Sequence, residues 1–140
     1  MGKKNSSGQT TQIIMKKIIY TDKAPAPIGP YNQAVLVGNT LYTSGQIALD
    51  PATMELVMDS IEVETTQVMN NMKAVLEAAE MDFSNVIKST IFISDMNDFA
   101  KINQVYASYF NEDHAPARET VQVSKLPRNV NIEISIIAIK

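Results

Sequence analysis

Short runs of alternating or clustered apolar residues predict six β-strands along the chain. These runs occupy residues 16–20, 32–37, 40–44, 86–94, 118–123 and 130–139. Gly38 and Asn39 separate the second run from the third, and a glycine in first position suits a type II′ hairpin turn. A turn through residues 126–129 leads into the last run. We therefore expect a β-rich domain that contains at least one hairpin.

Two other stretches have apolar residues spaced by three and four, as in amphipathic helices. The first stripe consists of Ile61, Thr65, Val68, Met72, Val75, Leu76 and Ala79. Asp59 and Glu62 predict a capping box at its start. The second stripe consists of Phe99, Ile102, Val105, Tyr106, Tyr109 and Phe110. Either Asp95 or Asn97 is placed to accept from its first free N–H groups.

The strands nearest the C-terminus are apolar on both faces. In the run at 86–94 the alternation places Ile87, Ile91 and Ile93 on one face and Lys88, Thr90 and Phe92 on the other. In the last run, one face carries Val130, Ile132, Ile134, Ile136 and Ala138, and the other carries Asn131, Glu133, Ser135, Ile137 and Ile139. Two helices cover only one face of a sheet, so the second face needs another cover. We infer that another subunit provides it.

Length and composition are those of one globular domain. The chain has 140 residues, of which 45% are hydrophobic and 19% charged. No apolar run approaches the roughly 18 residues that a membrane-spanning helix needs, so we expect no membrane association. Residues 1–15 are mostly polar and lack the apolar core of a signal peptide. We interpret residues 1–15 as a flexible extension or tag and residues 16–140 as the domain.

Several kinds of chemistry are excluded by composition. The chain has no cysteine, which removes disulfides, thiolate nucleophiles and cysteine-held metals, and it fits a reducing compartment such as the cytoplasm. His114 is the single histidine, so a histidine-rich metal site is impossible. The net charge is −3 and the only arginines are Arg118 and Arg128. No basic stripe exists to follow a phosphate backbone, so nucleic acid is not the expected partner.

Two charged residues are candidates for a reactive site. Arg118 opens a strand after Pro116 and Ala117, where its guanidinium fork could grip a carboxylate at the mouth of a cleft. Glu133 lies mid-strand on the face assigned to an interface, where desolvation would raise its pKa toward that of a useful base. The alternatives are a solvated or salt-bridged arginine and a glutamate on a wet sheet face. Either alternative is the more frequent one for such residues in general.

Three further polar residues carry weaker signals. Ser44 precedes Gly45 at a strand end, but the local sequence is not a nucleophile elbow, and one histidine makes a serine triad improbable. Tyr31 follows Gly29 and Pro30 in a stiff loop, where it either caps a pocket or only packs. His114 lies in a loop and is expected to be solvated.

Six motifs, in this order and at these spacings, resemble the reactive intermediate deaminases of the RidA or YjgF-like family over residues 16–140. The motifs are APAPIGPY at 24–31, TSGQI at 43–47, MNDF at 96–99 with Asn103 and Tyr106, PAR at 116–118, LP at 126–127 and IEI at 132–134. The resemblance implies a single chorismate-mutase-like α+β domain of ferredoxin-like character. In such a domain a mixed sheet carries two helices on one face, and three copies form a homotrimeric barrel with active sites between neighbours.

The resemblance also implies an activity and its residues. Members hydrolyse 2-aminoacrylate and related short enamines and imines to 2-keto acids and ammonia, without a cofactor or a metal. By resemblance, Arg118 binds the substrate carboxylate and Glu133 positions or activates a water. Tyr31 closes over the site, Ser44 donates to the substrate and Asn103 hydrogen-bonds within or across the cleft. Thr120 replaces a cysteine of many members, so that only its backbone role is expected to survive.

The chain departs from the family pattern at a second position. Many members have a glycine after the first helix where this chain has Glu80, which puts that cap in doubt.

The alternatives to a deaminase are a metabolite-binding regulatory module, a chaperone with exposed apolar surface, and a ribonuclease. The low arginine count and the net charge of −3 argue against the ribonuclease.

Overall fold

A computed structural model describes residues 2–4, 10–12 and 15–140. Its helices are α1 (Ile61–Ala78) and α2 (Phe99–Ala107). Its strands are β1 (Gly2–Lys4), β2 (Thr10–Gln12), β3 (Lys16–Ile19), β4 (Ala34–Val37), β5 (Thr40–Thr43), β6 (Val86–Ile93), β7 (Ala117–Gln122) and β8 (Ile132–Ile139). The six strands and two helices that the sequence predicts beyond residue 15 are all present.

Strands β3 to β8 form one mixed sheet in the order β3-β4-β5-β8-β6-β7. The edge strand β7 pairs parallel with β6, and all other neighbours are antiparallel. The last strand of the chain, β8, thus lies in the middle of the sheet, between β5 and β6. The predicted α+β class with a mixed sheet and two helices is confirmed, whereas the trimeric barrel stays a prediction.

The first hairpin forms as predicted. Strands β4 and β5 pair from Val37 opposite Thr40 back to Ala34 opposite Thr43. Gly38 has a φ of 60°, whereas Asn39 is not among the residues with positive φ. These are the signs of φ that a type II′ turn requires, and glycine adopts the first of them without a steric penalty.

Both helices pack on one face of the sheet and leave the other open. The predicted inner face of the last strand is confirmed, because Ile132, Ile134, Ile136 and Ala138 are buried in one core with residues of α1 and α2. On the opposite face Ile139 remains 43% exposed, and Phe92 and Ile137 are half-buried. The open face of a single chain is therefore partly apolar, as inferred from the alternation.

The predicted position of Ile87 is wrong. This side chain is 48% exposed. Val86, directly before it, and Ser89, two residues after it, are buried. A β-bulge between Val86 and Lys88 shifts the register against β8 and breaks the alternation there. From Ser89 onward the alternation holds, and Ile91 and Ile93 lie in the core as predicted.

The predicted capping box of α1 is also wrong. The N-cap is Ser60, not Asp59, because Ser60 has extended backbone angles and its Oγ accepts from the Val63 N–H at 3.1 Å. The prediction that Asp95 or Asn97 caps α2 is wrong as well, because the N-cap of α2 is Asp98, whose side chain makes no capping hydrogen bond. Asp95 caps the preceding turn instead. Its carboxylate accepts from the Asn97 N–H at 2.9 Å and caps the short 3₁₀ turn that leads into the helix.

The C-terminal end of α1 is followed by a residue in the left-handed backbone conformation, although that residue is not a glycine. Glu80 has a φ of 60°, and the N–H of Met81 donates to the Leu76 carbonyl at 2.9 Å. This bond is characteristic of a helix end closed by a left-handed residue. The departure at Glu80 therefore leaves the turn intact and adds the strain that a side chain has in this region, about 1–2 kcal/mol.

Strands β1 and β2 pair with each other, separately from the main sheet. The interpretation of residues 1–15 as a flexible extension or tag concerns mostly residues outside the described part of the chain, and it stays a prediction. Among the described helices, neither is long and apolar enough to cross a membrane.

Candidate active site

Arg118 is held in place by helix α2. The residue lies on β7 opposite Ser89 of β6, and its side chain reaches over α2, where one terminal nitrogen donates to Asn103 Oδ1 at 2.6 Å. The guanidinium carbon lies 5.1 Å from the ring centre of Tyr106 and 5.5 Å from that of Phe99. These distances are within the range of cation–π contacts. The guanidinium is therefore oriented before any ligand arrives.

The ring beneath Arg118 is itself fixed. Tyr106 is buried, and its hydroxyl donates to Ser89 Oγ at 2.9 Å. Burial raises the pKa of Tyr106, although the Ser89 hydrogen bond and the nearby Arg118 charge act in the opposite direction. The phenol is therefore neutral at physiological pH and serves as a rigid support for the arginine.

Arg118 keeps most of its hydrogen-bonding capacity. A guanidinium has five N–H donors, and Asn103 occupies one of them. Within residues 15–140 no carboxylate oxygen lies within ion-pairing distance of Arg118. The residue lines a cavity of about 670 Å³ together with Asn103, Tyr106, Phe110, Glu112 and Pro116. A fixed arginine with free donors beside a cavity is suited to bind a carboxylate.

Glu133 lies on the opposite face of the sheet. It stands between the buried Ile132 and Ile134 on β8 and is paired with Phe92 of β6, so its side chain points to the open face. Burial raises the pKa of Glu133 above its ordinary value of 4.5, and no other cause contributes. This is the direction of shift that suits a general base working near neutral pH.

Gly45 leaves the space that the carboxyl group of Glu133 occupies. A Cβ at residue 45 would lie 2.6 Å from Glu133 Cδ and 2.7 Å from Cγ. The loop is fixed there by a two-way backbone contact, in which Gln46 N donates to Ile134 O at 2.8 Å and Ile134 N donates to Gln46 O at 3.2 Å. The TSGQ motif therefore brings Ser44 and Gly45 beside the carboxylate.

The proline loop that carries Tyr31 is anchored by Gln33. This buried side chain accepts from the Thr21 N–H at 2.8 Å and donates to the Pro25 carbonyl at 2.9 Å. Tyr31 is half exposed, and its hydroxyl accepts from the Ile28 N–H at 3.3 Å. Gln33 is not among the candidate residues that the sequence indicates. It lies immediately before β4, and no local sequence pattern marks its side chain as buried.

A second cavity, of about 590 Å³, holds Glu133. Its polar lining consists of Tyr31, Gln33, Ser44, Gln46, Arg128 and Glu133. Of the candidate site residues, the structure thus brings Tyr31, Ser44 and Glu133 together and places Arg118 with Asn103 elsewhere. The two groups lie at separate cavities, with Arg118 on the helix side of the sheet and Glu133 on the open side, so one chain does not unite them.

The hydroxyl groups of Ser44 and Thr120 have different surroundings. The Ser44 hydroxyl donates to the Asn32 carbonyl, so its single proton is already used. Thr120 lies two residues beyond Arg118 on β7 and lines neither cavity. Its hydroxyl is buried and has no hydrogen-bond partner within the described part of the chain.

Metal ligation finds no support in the described ranges 2–4, 10–12 and 15–140. In these ranges no group of three or more histidine, cysteine, aspartate or glutamate side chains is arranged to hold a metal ion. His114 ends an exposed 3₁₀ turn, Glu112–His114, and is solvated as expected.

Fold and cavities together define a small α+β protein with an arginine site and a carboxylate site on opposite faces of one sheet. A family model described as Endoribonuclease L-PSP matches residues 21–140. The chain therefore belongs to this family, the YjgF/RidA or Rid family, as its motifs predicted.

Relatives are similar over nearly their full length. A RutC family protein of Pyrococcus horikoshii is 54% identical over 126 residues, which cover 90% of this chain and 99% of the relative. A 2-iminobutanoate/2-iminopropanoate deaminase of Mus musculus is 46% identical over 127 residues, 91% of this chain and 93% of the relative. The crystal structure of E. coli TdcF with bound serine has a TM-score of 0.83 and 44% identity and covers 89% of this chain and 98% of that one. Imine deamination is thereby supported at the level of the family.

Proposed function

We propose that the protein is a 2-iminobutanoate/2-iminopropanoate deaminase. It hydrolyses 2-aminoacrylate and related short enamines and imines to 2-keto acids and ammonia. The observation that carries this proposal is Arg118, whose guanidinium is oriented by Asn103 and two aromatic rings and has free donors beside a cavity. The identity to the mouse deaminase over almost the whole chain supports the reaction type.

The reaction requires only water and the positioned side chains. Arg118 binds the substrate carboxylate through two parallel hydrogen bonds. Glu133 orients a water and takes one of its protons as the oxygen adds to the imine carbon. That proton passes to the imine nitrogen to give a carbinolamine. The proton of the new hydroxyl group then moves through Glu133 to the same nitrogen as the C–N bond breaks, so that ammonia leaves and the 2-keto acid forms. Positioning and preorganised charges supply the acceleration, and we propose no cofactor or metal.

Other polar residues would complete the site. Tyr31 closes over the cavity, and Asn103 fixes Arg118. Because Ser44 donates its proton to Asn32, its oxygen would accept an N–H of the substrate in this conformation, rather than donate as expected. Thr120 would contribute through its backbone, because its side chain lines neither cavity.

The proposed site lies between copies of the chain. Arg118 and Glu133 are on opposite faces of the sheet, so only another copy can bring an Arg118 side chain to the Glu133 carboxylate. The partly apolar open face, with Phe92, Ile137 and Ile139, would be buried in the same assembly. A homotrimeric barrel with sites at its subunit boundaries satisfies both requirements. The absence of cysteine fits a location in the cytoplasm.

The test is turnover of 2-aminoacrylate generated in situ by a serine or threonine dehydratase. We expect the wild type to accelerate keto acid release and Arg118→Ala to abolish the acceleration with the oligomer intact. Lys101→Ala removes an exposed positive charge from α2 and should leave the rate unchanged. An active Arg118→Ala variant would show that the arginine role is wrong.

A second candidate function is a metabolite-binding module without turnover. The related structure of E. coli TdcF favours it, because that protein was crystallised with bound serine, a small amino acid. Binding of short 2-keto acids without any acceleration of imine hydrolysis would select this function. A chaperone would suppress the aggregation of client proteins, and a ribonuclease would cleave RNA. We expect neither activity.

A further inference from the structure

The cavity that holds Glu133 contains a second charged group, to which the proposed reaction gives no role. Arg128, in the turn before β8, lines this cavity of about 590 Å³. The apolar part of the lining comes from Pro25, Ala26, Ile28, Ile47, Leu49 and Pro127. Pockets for metabolite-sized ligands have volumes of about 300–1,000 Å³. The cavity is larger than a three-carbon imine fills, so a longer substrate has room.

Arg128 is held in an unusual backbone conformation. Its φ is 56° and its ψ 22°, and the next residue, Asn129, has a φ of 57°. Residues with a side chain rarely adopt this left-handed region, and two in succession are rarer still. Strained residues of this kind cluster at active sites and ligand clamps. The turn therefore presents Arg128 at the cavity at a cost in strain.

The guanidinium of Arg128 is almost unused by the protein. One terminal nitrogen donates to the Met54 carbonyl at 3.5 Å, a long hydrogen bond. No carboxylate oxygen of residues 15–140 lies within ion-pairing distance of it. Most of its five donors are therefore available to a ligand.

We propose that Arg128 is a second anion subsite, which binds a carboxylate at the far end of the substrate. This rests on the proposed function, in which Arg118 of a neighbouring copy binds the carboxylate next to the imine. The site then takes imines and 2-keto acids that carry two carboxylates, such as those derived from glutamate, in addition to short monocarboxylic ones. A planar guanidinium among apolar walls matches a carboxylate in charge and in shape.

The test compares two 2-keto acids of equal chain length. 2-Oxoglutarate has a carboxylate at the far end, whereas 2-oxopentanoate has a methyl group there. Their dissociation constants are measured by calorimetry on the intact oligomer of the wild type, Arg128→Met and Arg128→Lys. Lys125→Met is the matched control, because it removes an exposed positive charge from the same loop and lines no described cavity. Light scattering confirms that each variant keeps its assembly.

We expect the wild type to bind 2-oxoglutarate at least about tenfold more tightly than 2-oxopentanoate, which is the usual strength of a charge-assisted pair. Arg128→Met should lose this preference with little change for 2-oxopentanoate, and Arg128→Lys should keep part of it. Lys125→Met should behave as the wild type does. Equal affinities in the wild type, equal weakening of both acids in Arg128→Met, or no binding of either acid would overturn the subsite.

Binding and turnover separate this inference from the proposed function. A preference for 2-oxoglutarate that depends on Arg128, in a protein that does not accelerate 2-aminoacrylate hydrolysis, would support the subsite and contradict the deaminase. Turnover of 2-aminoacrylate without that preference would support the deaminase and contradict the subsite.

Discussion

The substitution Gly45→Ala tests whether the exact position of the Glu133 carboxyl group matters. The added Cβ would lie 2.6 Å from Glu133 Cδ, whereas non-bonded carbon atoms pack at about 3.5–4.0 Å. The carboxyl group must therefore withdraw by about 1 Å. A misplacement of this size costs roughly a hundredfold in rate when a reacting group is involved. We expect kcat for 2-aminoacrylate hydrolysis to fall by about that factor.

Stability should change much less than activity. Moving Glu133 off its rotamer costs on the order of 0.5–1.5 kcal/mol. Because φ at Gly45 is not in the left-handed region, alanine offsets this by about 0.4–1 kcal/mol through the lower entropy of the unfolded chain. The two terms nearly cancel, so Tm should stay within a few degrees of the wild type.

Gly38→Ala is the matched control with the opposite signature. No atom lies within 4 Å of a Cβ at this position, but φ is +60°, which costs about 1–2 kcal/mol for a residue with a side chain. We expect a lower Tm and unchanged kcat. Full activity in Gly45→Ala, or a loss of activity in Gly38→Ala of the same size, would refute the positioning of Glu133 by Gly45.

Three further predictions follow from contacts in the structure. Burial raises the pKa of Glu133 above 4.5. The protonated side chain therefore contributes stability to the folded state below pH 4.5, and this contribution is lost as pH rises through the folded-state pKa. Glu133→Gln should therefore unfold at a higher temperature than the wild type near neutral pH but not in acid, and thermal melts between pH 4 and 8 check this. Ser60→Ala removes the acceptor for the Val63 N–H and should destabilise the fold by about 1 kcal/mol at constant kcat; an unchanged melting curve would mean that the cap contributes nothing. Phe99→Leu removes one of the two rings against Arg118 and should raise KM several-fold with kcat nearly constant, whereas a fall in kcat alone would speak against a binding role.

Local features of the fold were predictable from the sequence, and long-range ones were not. The alternation of the last strand and the helical stripes gave the correct inner faces, because burial repeats with the period of each element. The exposure of Ile87 could not be read locally, since the bulge at Val86 and Lys88 arises from pairing with β8. The choice of Ser60 over Asp59 depended on backbone angles that both residues allow.

In the candidate site, too, local features were predictable from the sequence and long-range ones were not. Motifs pointed to Arg118 and Glu133, and the general effect of burial on a strand glutamate gave the direction of the Glu133 pKa shift. That the two residues lie on opposite faces follows from the pairing of β7 with β6 and of β6 with β8, which no local pattern reveals. The proposed subsite role of Arg128 rests on its positive φ and on its position in the cavity lining, and the sequence indicates neither.

The central claim is that Arg118 of one copy and Glu133 of another form each active site, and complementation between two inactive variants tests it most directly. Arg118→Ala and Glu133→Gln are unfolded and refolded together, and 2-aminoacrylate hydrolysis is compared with that of wild type treated in the same way. In randomly assembled trimers about one quarter of the sites unite an intact arginine with an intact glutamate from the neighbour. We predict that the mixture recovers about this fraction of wild-type activity, whereas each variant refolded alone stays inactive. A mixture that contains mixed trimers and remains inactive would contradict the shared site.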